Sequence, residues 1–249
     1  FFCFSLILFG SKFSKNKYIY FYFFSLIIIS FFIGERANFI RLLIAIFLFV
    51  IITKQLNFKN SFIFIIPIIF LFLFIANVKG GKLDFFKDRF INVVVNQAKY
   101  DSILDFNNNN KYTPLFINAY TIFKENKLLG VGLGSYYEKS HEIYRTYRFR
   151  NYTRMIPNTH PHQYHFEILA TLGLPGYIFI FSILIYFMYK SFFFYLATKE
   201  TVNLSSLLVI FVFCIPFLPT GSFFTTYGAA LFWLNFSLMN LGNFKNINH

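Results

Sequence analysis

The sequence predicts an all-α polytopic membrane protein with about six to seven transmembrane helices and one long extracytoplasmic loop that contains short helices. Three observations predict this fold class. Of 249 residues, 57% are hydrophobic and only 13% are charged, where a soluble domain is about a quarter charged. The apolar residues, 41 Phe among them, are clumped into runs rather than spread over one face of a soluble core. Residues 79–163 form a polar stretch too long for a plain connector, so it needs structure of its own. The net charge of +13 does not point to nucleic acid, because the cations are divided among several loops and form no single groove-binding surface.

Taken in order, the first apolar run is Phe1 to Phe9. No charged segment precedes it and no small-residue cleavage site follows, so it does not read as a signal peptide. It reads as a truncated first span, with the chain the carboxyl-terminal part of a larger multi-span protein. Lys12, Lys15 and Lys17 follow, then a span from Tyr18 to Ile33. A polar turn, Gly34-Glu35-Arg36-Ala37-Asn38, leads to a third span from about Phe39 to Ile52. A loop with Lys54 and Lys59 precedes a fourth, Ser61 to Val78. These runs fall short of the ~20 residues of a full crossing, and flanking Tyr, Asn and Lys make up the difference at the interface.

Within the long loop, Asp101 to Lys111 reads as irregular. Pro114 to Glu125 reads as an amphipathic helix with Leu115, Ala119 and Ile122 on one face. From His162 to Leu172 the pattern is helical again, with Phe166, Leu169 and Ala170 along one side. Gly173 and Pro175 break it. Later spans are expected at Tyr177–Leu196, Leu204–Leu218 and Phe223–Leu241, with Pro219-Thr220-Gly221-Ser222 as a tight turn. The resulting divisions are 1–78, amino-terminal spans; 79–165, an extracytoplasmic loop bearing the chemistry; and 166–249, carboxyl-terminal spans. Cys3 and Cys214 both lie in apolar runs and read as small core residues, not as a disulfide framework.

Orientation follows from the cations of the short loops. Lys12, Lys15, Lys17, Lys54, Lys59, Lys190, Lys199 and Lys245 fall on one side, the cytoplasmic one, and the long loop on the other. Every arginine then lies outside: Arg36, Arg41, Arg89, Arg145, Arg148, Arg150 and Arg154. The abundance of Phe, Ile, Asn and Lys is what AT-rich codons give, so lysine is the default cation. Arginine is favoured where a planar fork grips a phosphate or carboxylate in two places. The plainer reading is that individual arginines pair with loop carboxylates.

The polar chemistry concentrates between Leu128 and Gly176. Gly130-Val131-Gly132-Leu133-Gly134 comes first, then the arginine-bearing run, then Asn158-Thr159-His160-Pro161-His162-Gln163-Tyr164-His165-Phe166-Glu167. Three readings fit His160, His162 and His165. The H-x-H-x-x-H spacing allows a zinc site, but no Cys or carboxylate cluster stands nearby in sequence. The histidines also fit a structural role at a membrane interface. The third reading makes His162, opening a helix at the water–lipid boundary, a general base, since its ordinary pKa lies near operating pH. Glu167 could orient an imidazole, but helical spacing puts it off the face of His162. His141 reads as an ordinary loop residue.

These residues resemble the O-antigen ligase and O-antigen polymerase superfamily. The resemblance lies in Gly130-Val131-Gly132, an outer loop, His162-Gln163, and Gly173-Leu174-Pro175-Gly176 beginning eleven residues after the histidine. Gln163 stands where the family has Asn. Gly34-Glu35-Arg36-Ala37-Asn38 resembles the family's Ser-Arg-Gly turn, with Arg36 in the arginine position and Glu35 and Ala37 in place of Ser and Gly.

The resemblance implies a metal-independent membrane glycosyltransferase without cofactors. It would sit in the bacterial inner membrane, multi-pass, with its active site facing the periplasm. The donor would be a glycan on undecaprenyl diphosphate. The acceptor would be lipid A–core for a ligase, or another lipid-linked repeat for a polymerase. In that scheme His162 and Arg36 are catalytic, and Arg145, Arg148, Arg150, Arg154, His160 and Gln163 bind substrate. A polysaccharide or lipid transporter is the competing class. Its marker is ionisable residues within spans, and apart from Arg41 near a span end and Glu167 beside the loop, the sequence has none. A purely structural membrane protein would not need arginine and histidine gathered on one side.

Overall fold

The computed structural model describes residues 18–53, 69, 73, 112–148, 156–216, 218–225 and 227–245. Among them the regular structure is helical throughout. The elements are α1 Tyr18–Ile33, α2 Arg36–Ile52, α3 Thr113–Glu125, α4 Tyr136–Arg148, α5 Tyr164–Thr198, α6 Thr201–Phe213 and α7 Tyr227–Lys245. The first and fourth expected spans, Cys3, the Asp101–Lys111 segment and Arg89 fall outside the described residues.

The sequence places α1 and α3 closely, and the reasons are local. Gly34, at φ 77°, closes the turn between α1 and α2 in a conformation that suits glycine. Pro114 lies in the first turn of α3, where its missing N–H costs nothing. Leu115, Ala119 and Ile122 form the buried face of α3, as their spacing predicts.

α5 is the one described helix long and apolar enough to cross a membrane by itself. Gly173, at φ 69° and ψ −172°, divides it into two limbs. The second limb, Leu174 to Thr198, is 25 residues and so about 37 Å long, enough for a hydrocarbon core of ~30 Å. Ile178, Phe179, Ile185 and Phe193 stand exposed along it, and an apolar surface of this kind needs a non-aqueous surrounding. α1, α2, α6 and α7 are shorter, and α6 ends at Phe213 rather than running on to Leu218. The described residues between it and α7 include Pro216 and Pro219 and form no regular element.

Helices α1, α2, α5, α6 and α7 share one core, filled by Phe23, Phe31, Phe49, Ile168, Leu208, Phe223 and Phe232 among others. In lipid, such helices associate through close packing and interhelical hydrogen bonds rather than by escaping water. Ser191 on α5 and Asn203 on α6 both donate to the Met239 carbonyl of α7, at 3.0 and 2.9 Å. A smaller cluster joins α3, α4 and the first limb of α5 through Ala119, Ile122, Tyr136, Ile143 and Ala170. The division expected at 165/166 therefore falls inside the first turn of α5, whereas the chain changes direction at Gly173.

Candidate active site

The two separated glycine motifs are halves of one joint. The kink at Gly173 leaves the last carbonyls of the first limb without helical partners. Val131 N–H donates to Ala170 O at 3.0 Å, and Gly132 N–H to Thr171 O at 2.9 Å. Leu174 N–H returns a bond to Lys127 O at 2.8 Å. Gly130, at φ 64°, lies so close that a Cβ would collide with the Thr171 backbone, and a Cβ on Gly173 would collide with Leu128 O. The backbones touch because neither residue has a side chain. Gly132 and Gly134 also have positive φ, but open space surrounds them. Gly173→Ala or Gly130→Ala is accordingly expected to destabilise the protein by about 2–5 kcal/mol, from left-handed strain plus overpacking. Gly132→Ala should cost less, since strain is its only penalty. Thermal unfolding of the purified variants in detergent checks the ranking.

The joint fixes the first limb of α5, and that limb carries the histidines. Gln163 caps it: Oε1 accepts from Phe166 N–H at 3.1 Å. Asn is a favoured cap residue, so Gln163 in place of the family's Asn keeps an amide oxygen at the helix start. Its Nε2 is buried and has no hydrogen-bond partner among the described residues. The helix begins at Tyr164, so His162 precedes it rather than opening it. The buried face of the first limb comprises Tyr164, Glu167, Ile168, Ala170 and Thr171. Of the residues expected on that face, Ala170 is buried, while Phe166 and Leu169 are half-buried.

His162 adopts φ 55°, a left-handed conformation that costs a non-glycine residue on the order of 1–3 kcal/mol. Its carbonyl is held by Thr220 N–H at 2.7 Å. Its half-buried ring lies 4.2 Å from that of His160 and 6.2 Å from that of Tyr112. His160 faces Thr159 Oγ1 through Nδ1, at 3.0 Å. Burial, with His162 alongside, pushes the His160 pKa down to about 4, so this ring is neutral at physiological pH.

His165 serves another purpose. Its Nε2 lies 2.8 Å from the Cys214 carbonyl, which can only accept, so that nitrogen carries the proton. Nδ1 then accepts from the Tyr177 hydroxyl at 2.8 Å. Stacked on Phe181 at 4.5 Å, His165 ties the two limbs of α5 to the end of α6. Both of its nitrogens are engaged, so H-x-H-x-x-H does not converge on a common metal position.

The irregular segment from Leu218 to Phe223, which holds His162 through Thr220, is itself clamped at both ends. Arg41, 2% exposed, reaches across from α2. Its Nη2 donates to Leu218 O at 3.1 Å and Pro219 O at 2.6 Å, and its Nη1 to Asn38 Oδ1 at 3.1 Å. The guanidinium also lies 4.9 Å from the centre of the Phe213 ring. At the other end Glu167 accepts from Ser222 Oγ at 2.5 Å and from Phe223 N–H at 2.6 Å. Arg41 and Glu167 are thus spent on holding this segment. Sequence reading noticed both residues and missed this role. The available signal was an arginine and a glutamate near the ends of apolar helices, with a Pro-Thr-Gly-Ser stretch to receive them.

Arg36 is the first residue of α2, about a turn and a half before Arg41. The Arg41 clamp therefore brings the start of α2 to the same end of the bundle as His162. Arg36 is half-buried and makes no hydrogen bond or ion pair to the described residues. Arg145 is exposed on α4, where Tyr137, Glu138 and His141 line an open groove with it. His141 is helical rather than in a loop, its ring 4.5 Å from that of Tyr137. Arg148 is the last residue of α4, and Arg150 and Arg154 lie outside the described residues. Asn118 Nδ2 donates to Ser140 Oγ at 2.8 Å and to Ile156 O at 3.2 Å. This pins the chain that enters the histidine segment.

A long apolar helix kinked at Gly173, with His160, His162 and His165 at the start of its first limb, fits a membrane protein. The sequence model of the O-antigen ligase family matches residues 21–181, a span running from α1 through the Arg36 turn and the histidine segment into the second limb of α5. The chain belongs to the O-antigen ligase family, whose members are membrane glycan enzymes of the ligase or polymerase type. No curated protein and no solved structure matches it.

Proposed function

We propose that this protein is an O-antigen ligase that moves a glycan from undecaprenyl diphosphate to an acceptor such as lipid A–core. It works at the periplasmic face of the bacterial inner membrane, within a bundle of six to seven spans divided as 1–78, 79–165 and 166–249. His162 takes the proton from the acceptor hydroxyl as that oxygen attacks the anomeric carbon. The bond to the lipid diphosphate breaks, and the leaving group carries away the electron pair. Arg36 grips that diphosphate in two places, and arginine rather than a divalent cation neutralises it. Arg145, Arg148, Arg150 and Arg154 attract and orient the anionic donor. His160 walls the base, and the buried amide N–H of Gln163 is the part of that residue left for substrate.

The observation that carries this reading is the conformation of His162. A histidine held at positive φ by a backbone bond from a clamped segment is a strained residue that its surroundings over-determine, as active-site residues often are. The arginines assigned to the donor supply the charge that a diphosphate requires. Loss of the gene tests the assignment. In the lipopolysaccharide of a null strain, bare core together with accumulated lipid-linked polymer is expected. Core bearing a single repeat would make the protein a polymerase, and unchanged lipopolysaccharide would reject both.

A further inference from the structure

The loop between α3 and α4 carries three leucines that stand exposed among the described residues. Leu128, Leu129 and Leu133 are 72%, 85% and 61% exposed. They flank the glycine joint, and the joint fixes their height. Leu128 O lies against Gly173, and Lys127 O accepts from Leu174 N–H at 2.8 Å. Leu174 is the first residue of the limb long enough to span the bilayer. Its own side chain is 47% exposed, and Ile178 follows one turn on at 56%. The leucines therefore continue the outward-facing apolar surface of that limb, at its outer end.

We infer that the 127–133 loop dips into the outer leaflet of the bilayer and anchors the extracytoplasmic helices at the membrane surface. Leucine side chains gain by leaving water for an apolar phase, so three of them hold the loop in the acyl boundary. The polar groups that flank them suit that depth. Tyr120 is exposed on the outer face of α3, and Lys124 extends over its ring at 5.7 Å. With Lys127, also exposed, these are side chains that bury an apolar stem and keep a polar tip among headgroups. The joint needs its glycines for close backbone contact, but that contact does not require leucine at 128, 129 and 133. An anchor does. Its consequence is that the first limb of α5, tied to the loop through Val131 and Gly132, stays at the depth of a lipid-borne substrate.

The test places tryptophan at Leu129 in the full chain, with Trp233, the one native tryptophan, replaced by Phe. The protein is reconstituted in phosphatidylethanolamine–phosphatidylglycerol vesicles. Blue-shifted emission is expected, with strong quenching by lipids brominated near the glycerol end of the acyl chain. Weaker quenching is expected from lipids brominated near the methyl end and from aqueous iodide. Leu133→Trp in the same background gives an independent second position and should behave alike. Iodide quenching with red-shifted emission at both positions would place the loop in water and overturn the inference. Blue-shifted emission that brominated lipid does not quench would mean that protein covers the leucines, either another segment of this chain or a second copy, and would overturn it equally. Neither readout depends on glycan transfer, so failure here leaves the proposed activity standing.

Discussion

An Arg36→Lys variant is expected to lose roughly ten- to a hundredfold of glycan transfer although its charge is kept, the equivalent of one or two charge-assisted hydrogen bonds. Lysine offers a point charge on a flexible stem. Arginine offers a planar fork matched to two phosphate oxygens. Arg36 has the right setting for the fork. It opens α2, is half-buried, and sits about a turn and a half from the clamp that joins α2 to the segment holding His162. Arg36→Ala should be worse again, since charge and fork both go. The measurement is restoration of polymer-bearing lipopolysaccharide in a null strain at matched protein levels. Were the lysine variant to restore it fully, charge alone would suffice and the two-point grip would be wrong.

Arg41 makes a useful contrast. Both arginines follow the same turn, and both invite the reading that outer arginines bind anionic substrate. The structure separates them by burial. Arg41 spends its guanidinium on Leu218 O, Pro219 O and Asn38, so substitution there should act through folding. Nothing in the sequence distinguishes the two, because the partners of Arg41 are backbone carbonyls 177 and 178 residues away. Carbonyls carry no sequence signature.

The same limit explains what else was legible. Helical periodicity gave the buried face of α3, because Leu115, Ala119 and Ile122 are neighbours on a helix in any tertiary context. The break at Gly173-Leu174-Pro175 was legible because proline and glycine act on their own backbone. The close approach of Gly130 to Thr171 and of Gly173 to Leu128 was not, although both glycines belong to recognisable motifs, because a backbone contact between segments far apart in sequence leaves only two glycines as its trace. The histidines divide in the same way. Spacing grouped His160, His162 and His165 into one possible ligand set, but the turn before α5 points them to different tasks. His165 meets Cys214 and Tyr177, half-buried His160 faces Thr159, and His162 sits at the strained position.

The variant with the largest expected effect is at that strained position. General-base catalysis is typically worth a hundred- to ten-thousandfold in rate, so His162→Ala should abolish detectable transfer while leaving membrane insertion intact. Alanine is a poor control by itself, because φ 55° strains it as well. Asparagine tolerates that conformation better than most residues, so His162→Asn keeps the backbone and removes the base. It should be as inactive as the alanine variant but fold as well as the wild type. His160→Ala and His165→Ala should be milder in rate, for different reasons. His165→Ala removes the tie between α5 and α6, so its loss should appear as lower stability. His160 does not bind a proton until about pH 4, so an acid limb in the activity profile between pH 5 and 8 cannot be its titration. That limb should keep its midpoint in His160→Ala. Chelators should leave the wild type unaffected, because arginine is assigned the charge of the diphosphate. If His162→Asn turned over at near-normal rate, the base would have to be sought elsewhere, and the strain at φ 55° would be serving only to turn the chain into α5.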